Sequence, residues 1–346
     1  GPLASAQTGF IANINDAPTG SVTISGTPTE DQVLMASNTL ADADGLGVIS
    51  YQWYRDGAAI GGATGSTYTL GDADVGTSIT VTASYTDGQG TSESVTSAGV
   101  GPIANINDAP VGLPTITGTV TEDQLLTVDT SGISDADGLG AFSYQWLRDG
   151  VAIGGATGTT YTLGDADVGA LISVQVSYTD LQGTAESVTS AQTVAVANIN
   201  DAPTGSVTIS GTPTEDQTLT ASNTLADADG MGPVSYQWYR DGVAIGGATG
   251  TTYTLGDADV GTNITVTASY TDGQGTHASV TSAGVGPIAN VNDAPVGVPT
   301  LTVSVSEVEL LSADSTGMSD ADGLGAFSYQ WYRDGVAIGG ATASTY

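Results

Sequence analysis

The chain has 346 residues, with 37 acidic side chains against 4 basic ones, a formal net charge of −33, and neither Lys nor Cys. That balance excludes a basic patch for nucleic acid or for an anionic membrane surface, and it leaves no thiol for disulfides or soft metals. With a single His besides, the side chains that carry most acid–base, nucleophilic and transition-metal chemistry are nearly missing.

Residues 1–5, Gly-Pro-Leu-Ala-Ser, read as the remnant of a protease-cleavage site, and residues 1–12 as a leading segment outside the fold. The motif Asn-Ile-Asn-Asp-Ala-Pro then begins at Asn13, Asn105 and Asn198, and recurs as Asn-Val-Asn-Asp-Ala-Pro at Asn290. A period of 92–93 residues is the size of one small domain. It divides the chain into repeats 13–104, 105–197 and 198–289 and a truncated fourth, 290–346. The fourth stops at Tyr346, which aligns with Tyr68, Tyr161 and Tyr253. Its closing strands are therefore missing from the sequence, and the break is expected to be imposed and not natural. The fourth repeat is expected to fray or to be completed by another chain.

Within the first repeat, short strands are expected at 21–25, 33–37 and 50–54, then at 68–70, 79–86 and 93–98. The clearest is 79–86, where Ile79, Val81, Ala83 and Tyr85 alternate with Thr80, Thr82, Ser84 and Thr86. That period of two marks a half-buried strand. The strand Ser50-Tyr51-Gln52-Trp53-Tyr54 runs into Asp56-Gly57, a strong turn signal. Trp53, Trp146, Trp238 and Trp331 recur at one position and are expected in the core, packed between two sheets. Asp74-Val75-Gly76 marks the corner before the sixth strand, and the Arg55-Asp56-Gly57 turn reads as a solvated hairpin. About seven short strands per repeat, separated by Gly, Pro, Asn and Asp, predict an all-β fold: tandem immunoglobulin-like sandwiches in an elongated array. No run is long and apolar enough to span a bilayer as a helix, so no direct membrane insertion is expected.

The carboxylates recur at fixed places. In the first repeat Asn13, Asn15 and Asp16 lie in the linker. Glu30 follows the first strand, Asp42 and Asp44 the second, Asp72 and Asp74 the fifth, and Asp87 the sixth. In a seven-strand sandwich the loops after strands two and six share one pole, here the near pole, where the chain enters. The loops after strands one and five share the far pole, where it leaves. Acidic groups thus gather at both poles and face a linker rich in oxygen atoms. Ca²⁺, which takes 6–8 oxygen ligands, suits such a set. An Asp-x-Asp pair in extended backbone sends both side chains the same way. The first junction is predicted to use Glu30, Asp72 and Asp74, then Asn105, Asn107 and Asp108, then Asp135, Asp137 and Asp180. The second uses Glu122, Asp165 and Asp167, then Asn198, Asn200 and Asp201, then Asp227, Asp229 and Asp272. Asp72 and Asp165 are either ligands or solvated corner residues. The third takes Glu215, Asp259, Asn290, Asn292, Asp293, Asp320 and Asp322. The fourth repeat keeps a glutamate, Glu307, but has Val308 where the first has Asp31.

The linker Asn-x-Asn-Asp-Ala-Pro is similar to the cadherin linker Asp-x-Asn-Asp-Asn-x-Pro. The order of Glu30, Asp42-Ala43-Asp44, Asp74 and Asp87 within each repeat also resembles cadherin domains. The linker departs by being one residue shorter and by opening on Asn. The segment Tyr51-Gln52-Trp53-Tyr54-Arg55-Asp56-Gly57 looks immunoglobulin-like. The whole repeat resembles the modules of very large bacterial surface adhesins of the repeats-in-toxin type, although the Gly-Gly-x-Gly-x-Asp nonapeptides of that group are absent. This resemblance implies calcium between tandem domains and an extracellular place on a bacterial surface.

Catalysis is not expected. The lone His277 stands where the first repeat has Ser92 and reads as a solvated residue. Carboxylate pairs that recur in every copy, at poles, do not make one distinctive cleft. The reading that fits is a calcium-stiffened extender segment of an adhesin, supporting adhesion or biofilm formation. Its partners are the neighbouring repeats of the same chain, and any surface or glycan target lies in other regions of the parent protein. The alternative is a module that itself binds a glycan, ice or another surface.

Overall fold

A computed structural model describes residues 9–302 and 310–346 of the chain. The cleavage-site remnant, residues 1–5, and Glu307 and Val308 lie outside the described residues. The chain is all-β and forms two compact units, one ending at Ala197 and the other beginning at Asn198.

The first unit opens with strands β1 (Val22–Ser25), β2 (Val33–Asn38), β3 (Ser50–Arg55), β4 (Ala58–Ala59), β5 (Thr67–Thr69), β6 (Ile79–Thr86) and β7 (Ser92–Thr96). They form a three-stranded sheet, β1-β2-β5, and a four-stranded sheet, β4-β3-β6-β7, antiparallel throughout. The alternation read along residues 79–86 is visible as burial: Ile79, Val81 and Ala83 are fully buried and Tyr85 nearly so. Trp53 pairs with Val81 in the register of β3 and β6, so it points into the same layer. It is completely buried, donates its indole N–H to the Gly65 carbonyl at 2.9 Å, and stacks on Tyr68 with ring centres 5.7 Å apart. Val22, Leu34, Ala36, Leu70 and Ile103 fill the space between the sheets around it. Burying an indole is among the largest single apolar contributions a small sandwich can make. The short β4, not foreseen as a strand, supplies the seventh by folding back across the Asp56-Gly57 turn, where Asp56 takes a φ of 45°.

The same layout recurs twice. The next seven strands are β8 (Thr115–Thr117), β9 (Leu125–Asp129), β10 (Ser143–Arg148), β11 (Val151–Ala152), β12 (Thr160–Thr162), β13 (Ile172–Thr179) and β14 (Ala185–Thr189). They pack around Trp146, which is fully buried. The second unit holds β15 (Val207–Ser210), β16 (Thr218–Asn223), β17 (Ser235–Arg240), β18 (Val243–Ala244), β19 (Thr252–Thr254), β20 (Ile264–Thr271) and β21 (His277–Thr281), around Trp238. It ends with two hairpin-like pairs, β22 (Thr300–Thr302) with β23 (Ser312–Asp314), and β24 (Tyr332–Arg333) with β25 (Val336–Ala337). Trp331 there still bonds the Ala343 carbonyl and stacks on Tyr346.

How each sandwich ends decides where the linker goes. After β7 the chain pairs with the edge of β6, Val100 against Ile79, and then threads between two loops. On one side Ala104 N donates to Pro28 O and Glu30 N to Ala104 O, both at 2.9 Å. On the other, Gly76 N donates to Ile103 O at 2.9 Å and Ile103 N to Thr77 O at 3.1 Å. The linker at Asn105 therefore starts between the loop that carries Glu30 and the turn that carries Asp72. In the second unit Ile288 and Ala289 make the corresponding bonds to Thr262, Gly261, Pro213 and Glu215.

Candidate metal centres

At the far pole of the first repeat, one carboxylate oxygen from each of Glu30, Asp72 and Asp108 lies within 4.8 Å of the others. Glu30 is buried, 1% exposed, while Asp108 is half-buried and Asp72 exposed. Glu30 Oε2 accepts the Ile106 N–H at 3.2 Å, which ties the linker to the loop. Its Oε1 is buried with no hydrogen-bond partner, and the Oδ1 of Asn105 is in the same condition. Burial, opposed by the Ile106 N–H and reinforced by Asp72 and Asp108, pushes the Glu30 carboxyl above its ordinary range. Burial and the charges of Asp72 and Asp137 do the same for Asp108. Three negative groups thus face one another around oxygens that no described residue satisfies, an arrangement that is costly unless a cation enters.

The second unit repeats this geometry with Glu215, Asp257 and Asp293, whose oxygens also fall within 4.8 Å of one another. Val291 N–H bonds Glu215 Oε2 at 3.1 Å, and Glu215 Oε1 is buried without a partner. The Val291 N–H lowers the Glu215 carboxyl, but Asp257 and burial outweigh it and the net shift is upward. Burial and Asp257 raise Asp293. In the second repeat, Glu122 is buried and carboxylate oxygens of Glu122 and Asp165 lie within 4.8 Å of each other.

Asp74, Asp167 and Asp259 are placed differently from the expectation. Residues Asp72–Asp74 form a 3-10 turn, not extended backbone, so the two carboxylates diverge. Asp74 turns inward: Arg55 Nε donates to its Oδ1 at 2.7 Å, and Tyr68 Oη and Gly71 N donate to its Oδ2 at 2.8 and 3.0 Å. Asp167 meets Arg148, Tyr161 and Gly164, and Asp259 meets Arg240, Tyr253 and Gly256, in the same way. These aspartates, each 1% exposed, serve the corner of the sandwich, and Asp72 and Asp257 turn to the linker instead. Arg55 is correspondingly half-buried in an ion pair, not a residue of a merely solvated hairpin.

The near pole gathers a second set. Asp135 Oδ1 accepts Asp137 N–H at 2.9 Å and its Oδ2 accepts the Tyr178 hydroxyl at 2.5 Å. Asp137 Oδ2 accepts the backbone N–H of the linker residue Asp108 at 2.8 Å. Asp180 Oδ1 caps the β13–β14 turn through Gln182 N and Thr184 N, while its Oδ2 is buried with no partner. Asp42, Asp44 and Asp87 make the equivalent bonds with Asp16, Tyr85, Gln89 and Thr91. Asp227, Asp229 and Asp272 do so with Asp201, Tyr270, Gln274 and Thr276. Asp87 Oδ2 and Asp272 Oδ2 are likewise buried and unpartnered. Burial raises the Asp87 carboxyl, but the N–H groups of Thr91, Gln89 and Gly90 outweigh it and hold it below its ordinary range, so it stays charged. In the fourth repeat Asp320 and Asp322 receive the N–H groups of Asp322 and Asp293.

The linker asparagines divide. Asn13, Asn15, Asn107, Asn200, Asn290 and Asn292 are exposed, and Asn105 and Asn198 are half-buried. Asn15 and Asn107 donate their amide N–H to Glu93 and Glu186 of β7 and β14, residues that the sequence reasoning passed over.

No protein-family model matches the chain, and no curated protein matches it in sequence. Among solved structures it is similar to mouse cadherin-23 (EC22-24), at 13% identity and a TM-score of 0.32, over 78% of this chain and 98% of that one. It is similar to a Ca²⁺-stabilised adhesin that helps an Antarctic bacterium reach out and bind ice, at 12% identity and a TM-score of 0.28, over 89% and 91% of the two chains. It is also similar to a tetra-tandem repeat in the extending region of a large adhesion protein, at 17% identity and a TM-score of 0.27, over 88% and 89%. At these identities the likeness concerns the fold alone.

Proposed function

We propose that the chain is a non-catalytic extender: a run of sandwich modules whose linkers are fastened by Ca²⁺, serving as part of an extracellular bacterial adhesin. One observation carries this reading. Glu30 and Glu215 are 1% exposed, each has an unpartnered Oε1, and each stands within 4.8 Å of two further carboxylates, one from its own module and one from the following linker.

The chain cannot neutralise these clusters from its own side chains. It has four Arg and no Lys, and Arg55, Arg148 and Arg240 are committed to Asp74, Asp167 and Asp259. Arg333 bonds the Tyr346 hydroxyl. Every candidate ligand is an oxygen, which selects a hard cation, and the mixture of carboxylate, amide and backbone carbonyl suits the large, flexible coordination sphere of Ca²⁺ over Mg²⁺. Glu30, Asp72, Asp108 and Asn105 would hold one ion at the far pole. Asp137 and Asp180, with the linker Asn107, would hold another at the near pole, and Tyr178 would orient Asp135 behind them. An ion at the far pole joins the last loops of one module to a linker whose Asp108 is already bonded to the next.

Isothermal titration of the chelator-stripped chain with CaCl₂ tests the reading. Saturable binding that Asp108→Asn and Asp293→Asn weaken is expected. No heat of binding at millimolar Ca²⁺ would refute it.

A further inference from the structure

The repeats are nearly identical, but the fastening of the linker to the module it enters is not. In the first repeat Asn15 Nδ2 donates to Glu93 Oε1 at 2.7 Å. In the second, Asn107 Nδ2 donates to Glu186 Oε1 at 2.8 Å. Each glutamate is the second residue of the last strand of its sandwich, so the bond ties the linker across the near pole to that strand. The third repeat has Ala278 at this position; Asn200 Nδ2 donates to the neighbouring Asp201 carbonyl at 2.9 Å, a bond Asn107 also makes, to the Asp108 carbonyl at 3.2 Å, in addition to its bond to Glu186. The backbone contact from Asp201 N–H to Asp229 Oδ2 at 2.8 Å matches that from Asp108 to Asp137. The electrostatics agree with the placement. Tyr85 and Tyr178, raised chiefly by burial and by Asp42 and Asp135, also feel Glu93 and Glu186. Tyr270, pushed up to about 12 by burial, Asp227 and Asp272, has no such glutamate.

We infer that Glu93 and Glu186 are positioning residues that latch the incoming linker to its module through Asn15 and Asn107, and that the linker of the third repeat, lacking the latch, is looser than the first two. A bond between an amide and a carboxylate holds the Asn side chain in one rotamer and leaves its Oδ1 as the atom that can face a cation. The latch needs no ion, so it goes beyond the calcium reading and can be tested without it. It also makes the array non-uniform: for equal ligand sets, the latched linkers are preorganised and the third is not.

Residues 105–110 and 198–203 are the same hexapeptide, Asn-Ile-Asn-Asp-Ala-Pro, so their intrinsic amide exchange is equal and a difference reports protection alone. Hydrogen exchange by mass spectrometry on the whole chain in EDTA is expected to show 198–203 exchanging roughly three- to tenfold faster than 105–110, the scale of one ordinary solvent-exposed hydrogen bond. Glu186→Ala should bring 105–110 to the faster rate, Glu186→Gln, which keeps an acceptor, should restore most of the protection, and Ala278→Glu should slow 198–203. The gain at 198–203 does not depend on the Glu186 variants folding normally. Equal rates in the wild-type chain, or no response to both Glu186→Ala and Ala278→Glu, would overturn the inference. Repeating the measurement in Ca²⁺ separates the two claims: calcium without effect on either segment counts against the metal centres and leaves the latch standing.

Discussion

Replacing the buried glutamates of two far-pole clusters by Gln, as Glu30→Gln with Glu215→Gln, should change stability in opposite directions with and without calcium. Without metal, Gln keeps the acceptor that Ile106 and Val291 use, and its Nε2 replaces an orphaned oxygen with a donor directed at Asp72 or Asp257. Relieving one unsatisfied buried polar atom is worth about 1–2 kcal/mol. A module with a 92-residue period unfolds with an entropy of about 0.2 kcal/mol/K, so the melting temperature in EDTA should rise by about 5–10 °C. With calcium at a hundred times its dissociation constant, the wild-type site gains about 2.7 kcal/mol, or about 14 °C. A variant that loses a charged ligand and binds a hundredfold more weakly gains only about 0.4 kcal/mol, or about 2 °C, at the same concentration. The wild type should therefore melt below the variant in EDTA and above it in calcium. Differential scanning calorimetry of both chains in the two buffers reads this crossover. A shift of the same sign in both buffers would refute the reasoning, as would a wild-type chain indifferent to EDTA.

Further outcomes follow from the two roles of the corner aspartates. Asp72→Asn should weaken calcium binding in titration calorimetry and raise the melting temperature in EDTA slightly, because it removes one of three facing negative charges. Asp74→Asn should leave calcium binding intact and destabilise the first repeat by roughly 2–3 kcal/mol in urea unfolding, because it strands a half-exposed Arg and breaks a buried network. Trp238→Ala should cost the third repeat about 3–5 kcal/mol, read as early loss of its transition in urea, since the indole lies wholly inside. In EDTA, thermal stability should fall as pH rises from about 4.5 towards neutrality. Glu30, Asp108, Glu215 and Asp293 have folded-state pKa values above ordinary, so the folded chain binds more protons than the unfolded one, and this contribution is lost as pH climbs through the raised values. Calcium should reverse that slope, because cation and proton compete for the same oxygens. Melting curves at a series of pH values in both buffers decide it.

Much of the fold is legible because it is written in alternation and repetition. Residues 79–86 state their buried face outright, and the recurring Trp marks the middle of each core. β4 escapes notice because two residues cannot display a period. The site is legible in composition but not in geometry. Glu30 and Asp108 stand out through position relative to the linker, and the structure brings them together. Asp72 and Asp74 cannot be told apart by spacing, because spacing assigns faces only once the backbone conformation is known, and a 3-10 turn separates what a strand would align. One clue was present: each repeat has a single Arg, and a single cation among so many carboxylates has to be committed somewhere. Glu93 and Glu186 are invisible for the opposite reason, as half-buried strand residues whose purpose depends on a linker asparagine 78 or 79 residues away.

The way each sandwich ends has a mechanical consequence. The final segment, Val100 to Ala104, lies alongside the loops at Thr29 and Val75 in the parallel sense and leaves the domain in its own direction. Tension transmitted through the chain therefore drags this segment lengthwise past its neighbours, loading the bonds at Pro28, Glu30, Gly76 and Thr77 together in shear instead of unzipping them one by one. Single-molecule pulling should show rupture of whole modules in discrete steps, with Pro28-side or Thr77-side disruptions lowering the rupture force.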